Sequence, residues 1–201
     1  MNFRNIIIEQ IFQKYKDTYS RISASFEDFK QTTIYTEFPN ATLGESIDIK
    51  SDLNTIKVFF VTTNSSLTFT TEANSVKYNF DDEFCICAFV LNEDYGKSQI
   101  TSKYFIDEVV DFFVNTDIKF KNFPQFNSKY SCSSLNNNEF QAKISKEIVD
   151  LFVAFDKDLT VEFNDRRCFI KTKRPIRYLR TNLEIIEFSF KLKSVLNNKI
   201  H

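Results

Sequence analysis

Phe84-Cys85-Ile86-Cys87-Ala88-Phe89-Val90-Leu91 is the longest unbroken apolar run in this 201-residue chain. It is too short to cross a bilayer, which takes about 20 apolar residues. A strand sends successive side chains to opposite faces, so a run that is apolar at every position predicts a central strand covered on both sides. The chain before it reads the same way. From residue 31 to about 91, TTIYTEF (32–38), SIDIK (46–50), TIKVFFVTT (55–63), SLTFTTE (66–72) and SVKYNF (75–80) are rich in Val, Ile, Thr, Phe and Tyr. Several alternate apolar with polar, as in Ser66-Leu67-Thr68-Phe69, and the breaks at Asn40 to Glu45, Asn64-Ser65 and Glu72 to Ser75 carry turn chemistry. Strands this closely spaced predict an antiparallel meander.

Residues 3–22 place Ile7, Ile8, Ile11, Phe12, Tyr15, Tyr19 and Ile22 at spacings of three and four, the stripe of an amphipathic helix. Beyond the apolar run, residues 101–115 predict a helix with Phe105, Val109, Phe112 and Phe113 on one face. Residues 117–122 then predict a short strand closed by Phe123-Pro124. A second helix spans about 140–155 with Ile144, Ile148, Leu151 and Phe152 inward. Leu159 to Lys173 reads as a hairpin turning at Asn164-Asp165, ended by Pro175, whose ring removes a ladder donor. Residues 180–196 fit helix and strand periods alike, and their length favours a helix. The expectation is an α+β fold: an N-terminal amphipathic helix, an antiparallel β-meander, then helix–strand–helix–hairpin–helix. The chain is expected to be one unit over 1–201, with sub-parts at 1–30, 31–100 and 101–201. Two helix-to-strand passages, 108–120 and 147–161, echo each other, as a duplication or as two helices meeting the same packing need.

The stretch from Phe105 to about Leu196 carries a further pattern: a helix, Asp117-Ile118-Lys119-Phe120, then Phe123-Pro124-Gln125-Phe126-Asn127-Ser128-Lys129-Tyr130, then a helix and a hairpin. It resembles the C-terminal part of a family of uncharacterised bacterial proteins, many of them membrane-anchored through hydrophobic segments near their N-termini. The resemblance implies a shared fold for these residues and transfers no functional residue. This chain departs from the family at its N-terminal helix, which is amphipathic and too polar to span.

Composition excludes several chemistries. Two glycines, Gly44 and Gly96, cannot write a GxGxxG or GxxxxGK[ST] phosphate loop or a GxSxG elbow. The 24 Phe with no Trp point to a core of packed aromatic rings. At this length folding buries roughly 70% of the unfolded chain's surface, so the core needs no staples. Cys85 and Cys87 share a strand face, a poor geometry for a mutual disulfide, and Cys132 and Cys168 lack a CxxC partner. All four are expected as buried thiols. The single histidine, His201, ends the chain. No catalytic residue, metal site or cofactor is therefore expected. The opening residues lack a signal-peptide pattern, which makes the cytoplasm the default address.

Charge is the remaining signal. Residues 81–117 hold Asp81, Asp82, Glu83, Glu93, Asp94, Asp107, Glu108, Asp111 and Asp117 against Lys97 and Lys103. Residues 166–180 hold Arg166, Arg167, Lys171, Lys173, Arg174, Arg177 and Arg180 with no acid. So dense a basic cluster repels itself unless counter-charges or an anionic partner lie near. The formal net charge of −1 gives no call for nucleic acid. Three readings stand: an interaction or scaffold protein that grips a protein or an anionic surface with the basic hairpin; an immunity-like or regulatory protein that binds a basic partner through the 81–117 surface; and an enzyme whose site is assembled from scattered side chains.

Overall fold

A computed structural model describes residues 3–15, 19–22, 27–36, 38, 41–51, 54–70, 75–103, 117–155, 157–172, 175–176 and 179–197. Its frame is one antiparallel sheet of eight strands: β1 (Tyr19–Ile22), β2 (Thr42–Ser51), β3 (Asn54–Thr70), β4 (Ser75–Val90), β5 (Lys97–Ser102), β6 (Tyr130–Ser134), β7 (Leu159–Asn164) and β8 (Arg167–Thr172). The spatial order is β1-β2-β3-β4-β8-β7-β5-β6, so the β7–β8 hairpin inserts between the meander β1–β4 and the later pair β5–β6. The expected α+β architecture is present, and the apolar run lies on a central strand with both faces buried. Cys85, Cys87 and Phe89 enter one core; Ile86 and Ala88 enter the other.

The first face carries the larger core. Against it lie α1 (Phe3–Lys14), α4 (Pro124–Lys129), α5 (Asn137–Lys143), α6 (Lys146–Phe155) and α7 (Leu179–Asn197), which contribute Ile7, Ile11, Phe126, Phe140, Phe152, Ile186 and Phe188. The rings meet edge to face: Phe152 stands 5.8 Å from Phe126, 5.3 Å from Tyr130 and 5.3 Å from Phe188. Each such pair adds about 0.5–1.5 kcal/mol beyond its area burial. The second face is covered by two short helices, α2 (Glu27–Lys30) and α3 (Thr33–Thr36). Their Phe29 and Ile34 pack with Phe38, Phe59, Val61 and Phe169.

Several expectations give way to tertiary structure. The first helix stops at Lys14; Tyr19 and Ile22 lie in β1, and Phe12 is 47% exposed. TTIYTEF forms α3 instead of a strand. Thr32 Oγ1 donates to Phe29 O at 2.6 Å and accepts from Tyr35 N at 3.1 Å, and Glu162 binds the first amides of α3. Local threonine bonds and one long-range acceptor override β-propensity there. The break expected at Asn64-Ser65 is absent, because β3 and β4 pair continuously from Lys57↔Ala88 to Thr70↔Ser75. Residues 97–102 are a strand; of the helix expected over 101–115, residues 104–115 lie outside the described residues, as do 108–116 of the first half of the internal echo.

Residues 117–120 form no regular element and 121–122 make a turn: Ile118 N donates to Cys132 O at 2.7 Å, while Asp117 Oδ1 accepts from Ser131 Oγ. Helix α4, with Pro124 in its first turn, and strand β6 follow where no element was expected. The helix expected over 140–155 is two helices, since Ile144 adopts an extended conformation between α5 and α6. The hairpin turns on Asp165-Arg166, one residue later than expected, with Asp165 at φ 56°. The final segment is a helix over 19 residues.

All four cysteines are buried and unpaired. Burial pushes the Cys132 and Cys168 thiols well above their usual range, and a hydrogen bond with Cys87 together with burial raises Cys85 as well. Since the reagent must reach the sulfur and all four cysteines are buried, a thiol reagent at pH 7–9 should label none of the four in the native state and all four in denaturant. Labelling of the folded protein that grows with pH as for a free thiol would contradict this.

Candidate functional site

Register aligns one line of side chains across the second face. Asp48 opposes Lys57, Lys57 opposes Ala88, Ala88 opposes Phe169, Phe169 opposes Glu162, and Glu162 opposes Gln99. The period of two puts all of them on the same side of the sheet. At the β5–β7 end of the line, Glu162 is 4% exposed and accepts from Thr33 N at 2.8 Å, Thr33 Oγ1 at 2.6 Å and Ile34 N at 2.9 Å. Gln99 Nε2 donates to Thr33 Oγ1 at 3.0 Å. This buried carboxylate holds the α2–α3 cover down, as a paired and hydrogen-bonded interior charge must be.

At the β2–β4 end the cover stops short and leaves an open cleft of about 300 Å³. Its floor is Phe59, Ala88 and Phe169, with Phe29 of α2 as one wall and Val90 at the mouth, 63% exposed. Its polar groups are Asp48, Lys57, Arg167 and Lys193. Lys57 Nζ is paired with Asp48 Oδ1 at 2.7 Å. Lys193 comes round the strand ends from α7. Its side chain donates to Thr55 O at 2.8 Å and lies 5.8 Å from the Phe89 ring, and no carboxylate among the described residues is within ion-pair distance. Lys193 is only 9% exposed, and burial holds its pKa below the usual lysine value. A part-buried ammonium with a carbonyl partner and no carboxylate beside it is a place where an anion in the cleft can bind. A second groove, about 230 Å³ between α6 and α7, has Phe155 and Phe188 in its lining and is bordered by the Lys157–Glu184 pair, so its charges are largely matched.

The basic hairpin residues take three different places. Arg166 and Arg167 are exposed at the β7–β8 turn, and Arg167 also lines the cleft. The Arg166 side chain donates to Leu91 O at 3.3 Å and Asn92 O at 2.7 Å, tying the turn to the loop after β4. Gly96 in that loop has φ 61°, a conformation that needs glycine. Lys171, expected on the binding face, is instead 3% exposed with its ammonium 4.6 Å from the Phe38 ring. Strand alternation sends it under the cover. Lys173, Arg174 and Arg177, and the side chain of Arg180, lie outside the described residues.

The acids expected as one surface are divided among the described residues. Asp81, Asp82 and Glu83 sit on one strand and alternate between its faces, and Glu83 is engaged by Arg4 and by Thr62 Oγ1. Asp94 caps Gly96 N, and Asp117 pairs with Lys119. No group of three or more His, Cys, Asp or Glu among the described residues could hold a metal ion. No helix among them is long and apolar enough to cross a membrane. Sequence reasoning reached Arg167 by charge density, but missed Lys193 and the phenylalanine floor. Lys193 stands in an ordinary helical context, and only the sheet brings Phe59 beside Phe169.

These features define an α+β protein with a two-faced antiparallel sheet and an apolar cleft bordered by cations. The whole chain aligns with the crystal structure of the mycobacterial trehalose monomycolate transport factor A, TtfA, at a TM-score of 0.57 and 6% sequence identity, over 100% of this chain and 99% of that one. The likeness is one of fold. No family model and no curated protein matches the chain.

Proposed function

We propose that this chain is a non-enzymatic binding protein that engages an anionic partner with the face formed by the β7–β8 turn and the cleft mouth beside it. The observation that carries this is the setting of Arg166 and Arg167, both exposed, next to an exposed apolar Val90 that directly opposes Arg167 in register. Cations around an apolar centre are the composition of a contact face in which charge sets orientation and the apolar part supplies affinity. The structural neighbour is named as a transport factor, which fits a binding rather than a catalytic role.

Arg166→Glu combined with Arg167→Glu should lower recovery of an acidic partner from native lysate by about tenfold, and wild-type recovery should fall as salt rises. Unchanged recovery with the double variant would refute the reading. Lys171 does not belong in that test. Reversing a residue that is 3% exposed would disturb the second core instead of the surface.

A further inference from the structure

The cleft itself, beneath the proposed contact face, has the makings of a ligand site. Its floor and walls are aromatic and aliphatic, Phe29, Phe59, Ala88 and Phe169, which offer dispersion contact to a hydrocarbon chain and no hydrogen bond to a polar one. Its volume, about 300 Å³, is at the lower end of small-molecule sites, which suits one short or medium chain and excludes a two-chain lipid. The polar groups are not symmetric. Lys57 is satisfied by Asp48, while the part-buried Lys193 ammonium has three donors and one carbonyl partner. The cleft therefore offers an anion a cation that no carboxylate of the described residues pairs with.

We propose that this cleft binds a medium-chain carboxylate amphiphile, with the alkyl chain against Phe29, Phe59 and Phe169 and the carboxylate on Lys193. The proposal builds on the reading of the hairpin side as a binding face and shares Arg167 with it, but not Arg166. A carboxylate at Lys193 forms a charge-assisted bond in a setting poor in water, where such bonds are strongest. The alkyl chain buries the apolar surface that Val90, 63% exposed, presents at the mouth, over a floor of Phe59 and Phe169.

The test uses the full chain in two-dimensional NMR, titrated with sodium decanoate below micelle formation. Decanoate should give saturable shifts at Phe29, Phe59, Ala88 and Phe169. Decanol, which has the same chain without the charge, should bind about tenfold more weakly, and decyltrimethylammonium should cause no saturable shift. Lys193→Met should weaken decanoate about tenfold and leave decanol unchanged. Val90→Asp, at an exposed position opposite Arg167, should weaken decanoate similarly and guards against misfolding of the first variant. Arg166→Glu should bind decanoate like wild type whatever it does to partner capture, so the two proposals fail separately. Equal binding of decanoate by Lys193→Met, equal binding of decanol by wild type, or shifts confined to the α6–α7 groove would each overturn the proposal. So would a dimer whose interface covers Val90 in samples that show no saturable decanoate shift.

Discussion

Phe152→Ala is expected to cost about 4 kcal/mol of folding stability, since large-to-small changes at fully buried aromatic sites lose both transfer energy and packing around the hole. Phe152 is 0% exposed and its ring touches Phe126 of α4, Tyr130 of β6 and Phe188 of α7. The Tyr130 hydroxyl also donates to Phe152 O at 3.0 Å, which fixes the ring it packs against. One truncation thus loosens three elements on α6. Phe152→Leu keeps most of the volume and should cost under about 1.5 kcal/mol. Urea denaturation with an unchanged slope decides the matter, and a loss below about 1 kcal/mol for the alanine variant would show that these rings do not form one packed unit.

Glu162→Ala should cost about 3 kcal/mol, for a different reason. The carboxylate is the shared acceptor for Thr33 N, Thr33 Oγ1 and Ile34 N, and its removal strands buried donors. Glu162→Gln keeps one acceptor oxygen and should lose about half as much. Hydrogen exchange separates this from a general loss of stability. The amides of Thr33 and Ile34 should exchange faster, while the β7–β8 ladder from Leu159↔Thr172 to Asn164↔Arg167 keeps its protection. Equal loss of protection in both places would mean that Glu162 supports the sheet and not the cover.

What could be read from the sequence follows from how local each feature is. The two-sided burial of β4 over Cys85 to Phe89, the hairpin at 159–172 and the amphipathic faces of α1 and α6 are written in periods of two and 3.6 within single segments, and they are present. Helix α3 is not local: its β-branched residues favour a strand until Glu162, 129 positions from Thr33, binds its amides. The turn expected at Asn64-Ser65 is pulled straight because that segment faces Phe80-Asp81, with Asn64↔Asp81 and Ser65↔Phe80 in one ladder. Arg166 and Arg167 were visible as charge. Lys171 was visible too, but its burial depends on alternation along β8 and on a cover contributed by α2, α3 and Phe38. The cleft was not visible at all, because it exists only where β2, β3, β4, β8, α2 and α7 meet.

The β3–β4 pairing has one more consequence. Strand β2 follows β3 only to Thr62, and β8 follows β4 only from Ile86 to Val90, whereas β3 and β4 continue through eight more register pairs, Thr63↔Asp82 to Thr70↔Ser75. Among the described residues this outer ribbon, roughly 25 Å long at about 3.3 Å per residue, has no third strand beside it. Its length is therefore decoupled from the rest of the architecture. Removing two residues from each strand would shorten the ribbon by one pleat while every inward and outward side chain at its base kept its side. The molecule carries an extension whose reach can be retuned without renegotiating the interior that supports it.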